Sequence, residues 1–144
     1  MKTTLTLIRG LPGSGKSYLA SSLREAAEGN LIMWVEADDY FYDDYGNYVF
    51  DANELTQAHE HCQLKTELYL SQDVDVVVAN TFTTPSEMKP YYLMAKQFNA
   101  VLNVITCQGD FGNVHNVPES TLDKMKKRFF HGDVIAELDR LYGV

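Results

Sequence analysis

Four short stretches of the chain are rich in β-branched and other apolar residues, and segments with helical periodicity separate them. The stretches are residues 3–9, 31–37 (LIMWVEA), 74–79 (VDVVVA) and 100–106 (AVLNVIT). Apolar runs of this length predict buried β-strands. Because helices alternate with the strands, we expect a parallel sheet covered on both faces, and any ligand should bind beyond the carboxyl ends of the strands.

The helical segments carry recognisable start signals. The clearest is Thr84-Pro85-Ser86-Glu87, in which a capping residue is followed by proline at the first helical position and glutamate at the third. The predicted helices begin at Gly15, Asp51, Thr84, Pro118 and Asp133. We therefore expect an α/β fold, a three-layer sandwich with a parallel sheet of four to five strands, formed by a single domain over residues 1–144.

The loop between the first strand and the first helix reads GLPGSGKS, residues 10–17. It fits the pattern G-x-x-x-x-G-K-[ST], in which backbone amides surround phosphates, the lysine reaches the β/γ-phosphates and the hydroxyl binds Mg²⁺. The pattern predicts a P-loop NTPase with ATP and Mg²⁺ as cofactors, Lys16 as a catalytic residue and Ser17 as the metal ligand. The predicted nucleotide-binding residues are Gly10, Pro12, Gly13, Ser14, Gly15, Lys16, Ser17 and Tyr18.

Asp38 and Asp39 follow the second strand, where one of them should project over the bound triphosphate. A carboxylate there can accept the proton of an attacking hydroxyl or help to hold Mg²⁺. The alternative is that DDYFYDD is only an acidic turn. The following stretch 41–50 predicts a small hairpin around Gly46-Asn47, whose aromatic residues either stack on a base or pack locally.

The net charge is −8, from 12 basic and 20 acidic residues, so the chain as a whole repels polyanions. Its dense basic stretch is residues 122–130, where helical geometry separates the apolar Leu122, Met125 and Phe129 from Lys124, Lys127 and Arg128. That basic face is either solvated or in contact with phosphate. Because the net charge is negative, any nucleic-acid contact must be local and confined to a basic stretch such as this one.

Length, cysteine content and apolar runs indicate the compartment. The two cysteines, Cys62 and Cys107, lie in helical or apolar patterns and are typical of buried thiols in a reducing environment. No apolar stretch reaches the length of about 18 residues that a membrane span needs, and the N-terminus lacks a signal-peptide pattern. We expect a cytoplasmic protein with no membrane contact.

A series of motifs resembles the P-loop kinase-type ATPases related to phage polynucleotide kinase. It comprises RGLPGSGKS, ADDYF, GNYVFD, AHEHC, VVVANTFTTPSEMKPY and NVHNVPESTLDKMKKRF, and it covers about residues 5–130. The resemblance implies that Asp38 is the general base for a 5′-hydroxyl and that Asn80 and Thr81 position the substrate. Asp39 and Arg128 are further candidates for substrate contact.

Two departures from the family pattern bear on catalysis. The family has an aspartate at the end of the third strand, where this chain has Ala79 in ANTF. The relatives also have a lid with phosphate-binding arginines, whereas CQGDFGNVHN is short and contains none; Arg9, Lys127 or Arg128 would have to replace them, and His115 is a further candidate for phosphate contact.

The sequence therefore predicts an ATP-dependent kinase that transfers the γ-phosphate to a nucleoside, nucleotide or nucleic-acid 5′-end, with the small acceptor favoured. Two other hypotheses stay open: a nucleotide-binding module with weak or no turnover, and an interaction domain with a merely structural P-loop. The expected partners are a nucleotide and a small acceptor or nucleic-acid end. The sequence makes no prediction of oligomeric state.

Overall fold

A computed structural model describes residues 2–112 and 116–143 of the chain. Strands and helices alternate along these residues as the apolar pattern predicts. The elements are β1 (Thr4–Arg9), α1 (Lys16–Ala26), β2 (Ile32–Val35), α2 (Leu55–Ser71), β3 (Asp75–Ala79), α3 (Pro85–Gln97), β4 (Val101–Thr106), α4 (Glu119–Arg128) and α5 (Val134–Tyr142), with short 3₁₀ helices at Ala37–Phe41 and Ala52–Glu54. His115 lies outside the described residues.

The strands form one parallel sheet in the order β2-β3-β1-β4. Leu7 in β1 pairs with Val78 of β3 and with Val104 of β4, so β1 lies inside the sheet. Parallel pairing brings the carboxyl ends of all these strands to one edge, where the chain segments that follow them meet. The predicted α/β sandwich with a parallel sheet is confirmed.

Alternating side chains of the strands build a core on each face of the sheet. Leu5, Leu7 and Val78 point to the face covered by α2, α3 and α5. Ile8 and Ala79 point to the other face, where they pack against α1. The result is a three-layer arrangement that fixes the start of α1 beneath the loop that follows β1. Within residues 2–112 and 116–143, no helix has the length and apolar character to span a membrane.

β2 is shorter than its apolar pattern predicts. It ends at Val35 because Glu36 and Asp39 bond each other's backbone N–H groups with their carboxylates, and this reciprocal pair starts the 3₁₀ helix Ala37–Phe41. The hairpin expected over residues 41–50 is reduced to one antiparallel bridge between Tyr42 and Tyr48. The acidic residues are therefore held in a compact turn at the edge of the sheet.

One helix-start signal lies where predicted but bonds differently. The carboxylate of Asp51 accepts a hydrogen bond from the backbone N–H of Asn53, and this starts the 3₁₀ helix Ala52–Glu54 that precedes α2. Glu54 accepts a hydrogen bond from the hydroxyl of Tyr40 at 2.9 Å. Glu54, three residues after Asp51, thus connects the helix start to Tyr40 in the acidic turn and does not form a capping box with Asp51.

Candidate active site

The loop from Gly10 to Ser17 connects β1 to α1 with the backbone shape that its glycines predict. Gly13 and Gly15 have φ angles of 82° and 100°, which other residues adopt at a cost. Gly10 is required for a different reason, because a Cβ atom there would lie 2.8 Å from the carbonyl oxygen of Cys107. The loop closes on itself through a hydrogen bond from the N–H of Ser14 to the carbonyl of Leu11 at 3.0 Å.

Lys16 is the first residue of α1, and its side chain folds back across the loop. Its ammonium donates hydrogen bonds to the carbonyl oxygens of Gly10 and Leu11, at 2.9 and 3.0 Å. Burial lowers the pKa of Lys16, while the nearby carboxylates of Glu36 and Asp38 act in the opposite direction. The lysine is therefore held beside the phosphate-binding loop and faces the acidic turn.

The other loop residues occupy different environments. Ser14 is buried, whereas the side chain of Tyr18, one position beyond the loop, is 81% exposed. Pro12 is half-buried at the turn of the loop. The backbone carries the predicted phosphate site, and Tyr18 leaves its ring at the surface of α1.

The segment that follows β4 braces the loop, a contact that the sequence patterns did not reveal. The N–H groups of Gly109 and Phe111 donate to the carbonyls of Ser14 and Gly13, at 3.2 and 2.7 Å. A Cβ atom on Gly15 would lie 3.2 Å from the ring of Phe111. These bonds occupy carbonyl groups only, so they leave the loop N–H groups free of this segment.

The acidic turn contains three carboxylates with different partners. Asp39 accepts a hydrogen bond from the N–H of Glu36 at 2.9 Å and so belongs to the turn itself. Asp38 accepts a hydrogen bond from the hydroxyl of Tyr48 at 3.1 Å. Burial, followed by the charge of Asp38, raises the pKa of Tyr48, so the phenol remains a donor at neutral pH. Tyr48 thereby orients the carboxylate of the predicted base.

Glu36 is a further candidate site residue, which the sequence motifs did not single out. Its carboxylate accepts a hydrogen bond from the hydroxyl of Ser17 at 3.4 Å. Burial, together with the charges of Asp39 and Asp38, raises the pKa of Glu36 to about 7, and Lys16 acts in the opposite direction. The sequence motifs do not mark Glu36, because Ser17 lies 19 residues away in sequence and becomes its partner only in the folded chain.

Asn80 and Thr81 follow β3 and support the backbone of the site. The side-chain oxygen of Asn80 accepts a hydrogen bond from the N–H of Ala37 at 2.9 Å, and its amide nitrogen lies 3.6 Å from the sulfur of Cys62. The carbonyl of Thr81 accepts a hydrogen bond from the N–H of Gly10 at 3.2 Å. Asn80 is buried, so the contact that it makes here positions the acidic turn.

Arg9 does not replace the missing lid arginines, because its guanidinium is buried and bonded to backbone. It donates to the carbonyls of Phe82 and Phe130 at 2.9 Å and to that of Thr83 at 3.3 Å, and it stacks 4.1 Å over the ring of Phe129. Its exposed fraction is 1%. Arg9 therefore links β1 to the segments that follow β3 and α4.

Arg128, at the end of α4, is also engaged with the protein. Its Nε atom donates to the hydroxyl of Thr83 at 2.9 Å and lies 3.9 Å from the carboxylate of Glu87. Its neighbour Lys127 is exposed. Lys126, which the helical projection did not single out, lines a cavity of about 300 Å³ beside Ser14 of the loop.

The site fits a metal ion that is bound together with a nucleotide. No three His, Cys, Asp or Glu side chains come together as a protein-only metal site in the described part of the chain. Ser17 and Glu36 instead place a hydroxyl and a carboxylate oxygen 3.4 Å apart beside the phosphate loop. Mg²⁺ prefers such oxygen ligands and takes its remaining ligands from phosphates and water.

The parallel sheet, the glycine-rich loop and the lysine at the start of α1 define a P-loop NTPase fold. Residues 5–111 match the sequence profile of a family described as AAA domain, and the chain belongs to this family. The chain is also 39% identical over 94 residues to human NEDD4-binding protein 2, a match that covers 65% of this chain and 5% of that protein. The chain thus spans about a twentieth of this relative.

Solved structures confirm the fold at low sequence identity. Kti12 of Chaetomium thermophilum, in complex with ADP-AlF3, has a TM-score of 0.66 at 14% identity, with 91% of this chain and 82% of that chain covered. APS kinase of Mycobacterium tuberculosis, in complex with AMPPNP and APS, has a TM-score of 0.59 at 13% identity, with coverages of 85% and 68%. The Pnkp1/Rnl/Hen1 RNA repair complex has a TM-score of 0.60 at 16% identity, with coverages of 99% and 44%.

Proposed function

We propose that this protein is an ATP-dependent kinase that transfers the γ-phosphate of ATP to a hydroxyl of a nucleoside, nucleotide or nucleic-acid 5′-end. The observation that carries the proposal is the placement of Asp38 in the 3₁₀ helix that follows β2, where the hydroxyl of Tyr48 holds its carboxylate at 3.1 Å, at the same edge of the sheet as the loop that carries Lys16. A base and a phosphate-binding cation at one edge of a parallel sheet are what phosphoryl transfer requires.

The reaction follows from these positions. The loop N–H groups and Lys16 would bind the β- and γ-phosphates, and Ser17 would hold the Mg²⁺ that offsets part of their charge. Asp38 accepts the proton of the acceptor hydroxyl as its oxygen bonds to the γ-phosphorus. The bond between the γ-phosphorus and the β–γ bridging oxygen breaks, and ADP leaves with that oxygen.

Two features support a small acceptor. The formal net charge of −8 disfavours a long polyanion. Arg128, a candidate for binding its phosphates, is already bonded to Thr83 and close to Glu87.

The free thiols of Cys62 and Cys107 fit a reducing compartment, and the proposed location is the cytoplasm.

The competing function is a nucleotide-binding module that hydrolyses ATP slowly or not at all. Ala79 favours it, because a carboxylate is missing where the family has one. The engagement of Arg9 and Arg128 with protein groups favours it as well, since each guanidinium already donates hydrogen bonds to protein oxygens. This module would act through a partner rather than through its own turnover.

A transfer assay with radiolabelled ATP, run across nucleosides, nucleotides and RNA and DNA 5′-ends, distinguishes the two functions when it is combined with Asp38→Asn. For a kinase, we expect this variant to keep its affinity for ATP and to slow transfer by about 10²- to 10⁴-fold, the range for a positioned base. Asp43→Asn is the matched control, because Asp43 is exposed and its carboxylate bonds backbone N–H groups of its own turn.

The result that contradicts the assignment is a loss of ATP binding in Asp38→Asn with unchanged transfer per bound nucleotide. A binding module predicts that turnover in this variant stays close to that of the wild type.

A further inference from the structure

β3 ends at Ala79, so the last residue of this strand brings no carboxylate to the site. Ala79 is 3% exposed and packs against α1 beneath the phosphate loop. In the sheet, Val35 of β2 pairs with Val78 of β3. Glu36, which follows Val35, therefore stands beside Ala79 at the same level of the sheet, one strand further out.

The carboxylate of Glu36 reaches the hydroxyl that the P-loop provides. Its Oε2 atom lies 3.4 Å from Oγ of Ser17. Two neighbouring oxygen ligands of an octahedral Mg²⁺ lie about 3 Å apart, since each lies at about 2.1 Å from the ion. The two oxygens are thus close to the spacing of a shared cation, and no other carboxylate in the described residues bonds Ser17.

We infer that Glu36, directly after β2, supplies the carboxylate that organises the nucleotide-bound Mg²⁺ next to Ser17. The end of β3 does not supply it, because the residue there is Ala79. The inference rests on the proposed nucleotide-binding function. The segment that follows β2, rather than β3, then provides both the carboxylate for the metal and the carboxylate of the proposed base, Asp38.

A purely structural role for Glu36 predicts a different behaviour. The Glu36 carboxylate also accepts a hydrogen bond from the backbone N–H of Asp39, and Asp39 returns a bond to the N–H of Glu36. If this pairing were its whole role, Glu36 and Asp39 would be equivalent. Glu36→Gln keeps an oxygen for the backbone bond but removes the charge, and Asp39→Asn does the same on the other side of the pair.

The experiment measures the dissociation constant of ADP by calorimetry, once with millimolar Mg²⁺ and once with EDTA. The ratio of the two constants reports Mg²⁺ coupling without any turnover. We expect Glu36→Gln to reduce this ratio by about 10- to 100-fold, the range for loss of a group that organises a metal. The affinity in EDTA should stay within about twofold, because the loop and Lys16 are untouched. Asp39→Asn should lower the ratio less than Glu36→Gln does, since Asp39 makes no hydrogen bond to Ser17.

A double variant tests whether a carboxylate at the end of β3 can take over the role of Glu36. In Glu36→Gln, the additional change Ala79→Asp returns a carboxylate to β3, and we expect it to restore part of the Mg²⁺ coupling. Glu36→Asp keeps the charge but withdraws it from Ser17 by one methylene, so it should lower the ratio less than Glu36→Gln does. This variant retains a test if the double variant fails to fold.

A wild-type ratio in both Glu36→Gln and Glu36→Asp overturns the inference and leaves the proposed nucleotide site intact. Equal losses in Glu36→Gln and Asp39→Asn overturn it as well, because they assign Glu36 to the turn alone. A wild-type protein that binds no ADP with or without Mg²⁺ overturns the proposed function and this inference together.

Discussion

The proposed site has two halves that are built from different parts of the chain. They are the phosphate loop, residues 10–17, and the acceptor side, which comprises the turn after β2 and the segments that follow β3 and α4. The phosphate loop uses backbone groups and glycines from residues 10–17, together with the side chain of Lys16. The acceptor side uses side chains that meet across long distances in sequence, such as Asn80 with Ala37, 43 residues apart, and Arg9 with Phe130, 121 residues apart. The loop is thus a local property of the sequence, whereas the acceptor side exists only after folding.

Arg9 supports the acceptor side through buried contacts with backbone carbonyls and has no proposed role in nucleotide binding or transfer. Arg9→Met would leave the carbonyls of Phe82, Thr83 and Phe130 without their donor. Unpaired buried carbonyls cost about 1–3 kcal/mol each, so we expect the free energy of unfolding to fall by about 3 kcal/mol, measured by urea denaturation. The stabilisation by ADP should persist.

Arg24→Met is the matched control for this change. Arg24 is exposed on α1 and places its guanidinium 5.2 Å from the ring of Trp34. An exposed cation–π contact contributes about 0.5–1 kcal/mol, so this variant should lose less than Arg9→Met. Wild-type stability in Arg9→Met, combined with a collapse of phosphoryl transfer, would show that Arg9 is a catalytic cation after all.

The loop, the four strands and the layers can be predicted from the sequence for one physical reason, because each depends on short-range patterns. Glycine spacing fixes the loop, and apolar runs fix the strands. The partners of Arg9, Arg128 and Glu36 escape prediction because each bonds a group more than 18 residues away in sequence. Arg128 is a plausible phosphate ligand on a helical projection, yet Thr83 and Glu87 become its partners only when α3 and α4 come together.

The phosphate loop provides the second test, because its effect should appear in ligand binding rather than in folding. At an ADP concentration of about 100 times the dissociation constant, the wild type should gain roughly 2.7 kcal/mol of stability. Lys16→Ala should lose most of this gain, falling to about 0.4 kcal/mol if the affinity drops 100-fold. Thermal unfolding with and without ADP·Mg²⁺ measures both values.

Lys127→Ala is the control for the removal of a lysine, since Lys127 is exposed at the end of α4. It should keep the full stabilisation by ADP. A wild-type melting temperature that does not respond to millimolar ADP·Mg²⁺ would contradict the nucleotide site itself, and equal responses of Lys16→Ala and the wild type would remove Lys16 from it.

The smallest expected effect separates two neighbouring cations of α4, Lys127 and Arg128. Arg128→Gln removes a hydrogen bond to Thr83 and a partly exposed contact with Glu87, and we expect a loss of about 1 kcal/mol in the free energy of unfolding. Lys127→Gln should change stability by less than about 0.5 kcal/mol, as is usual for surface positions.

The same pair decides between acceptors. For a small acceptor, both variants should phosphorylate it within about twofold of the wild type, and no variant should bind an oligonucleotide at low salt, because the net charge is −8. A polynucleotide acceptor predicts instead salt-sensitive binding, and Lys127→Gln should then lower the log–log salt slope by about 0.7 for each lost contact with a single strand. Fluorescence anisotropy of a labelled oligonucleotide across a salt series measures that slope, and a submicromolar, salt-dependent complex of the wild type would replace the small acceptor with a nucleic-acid end.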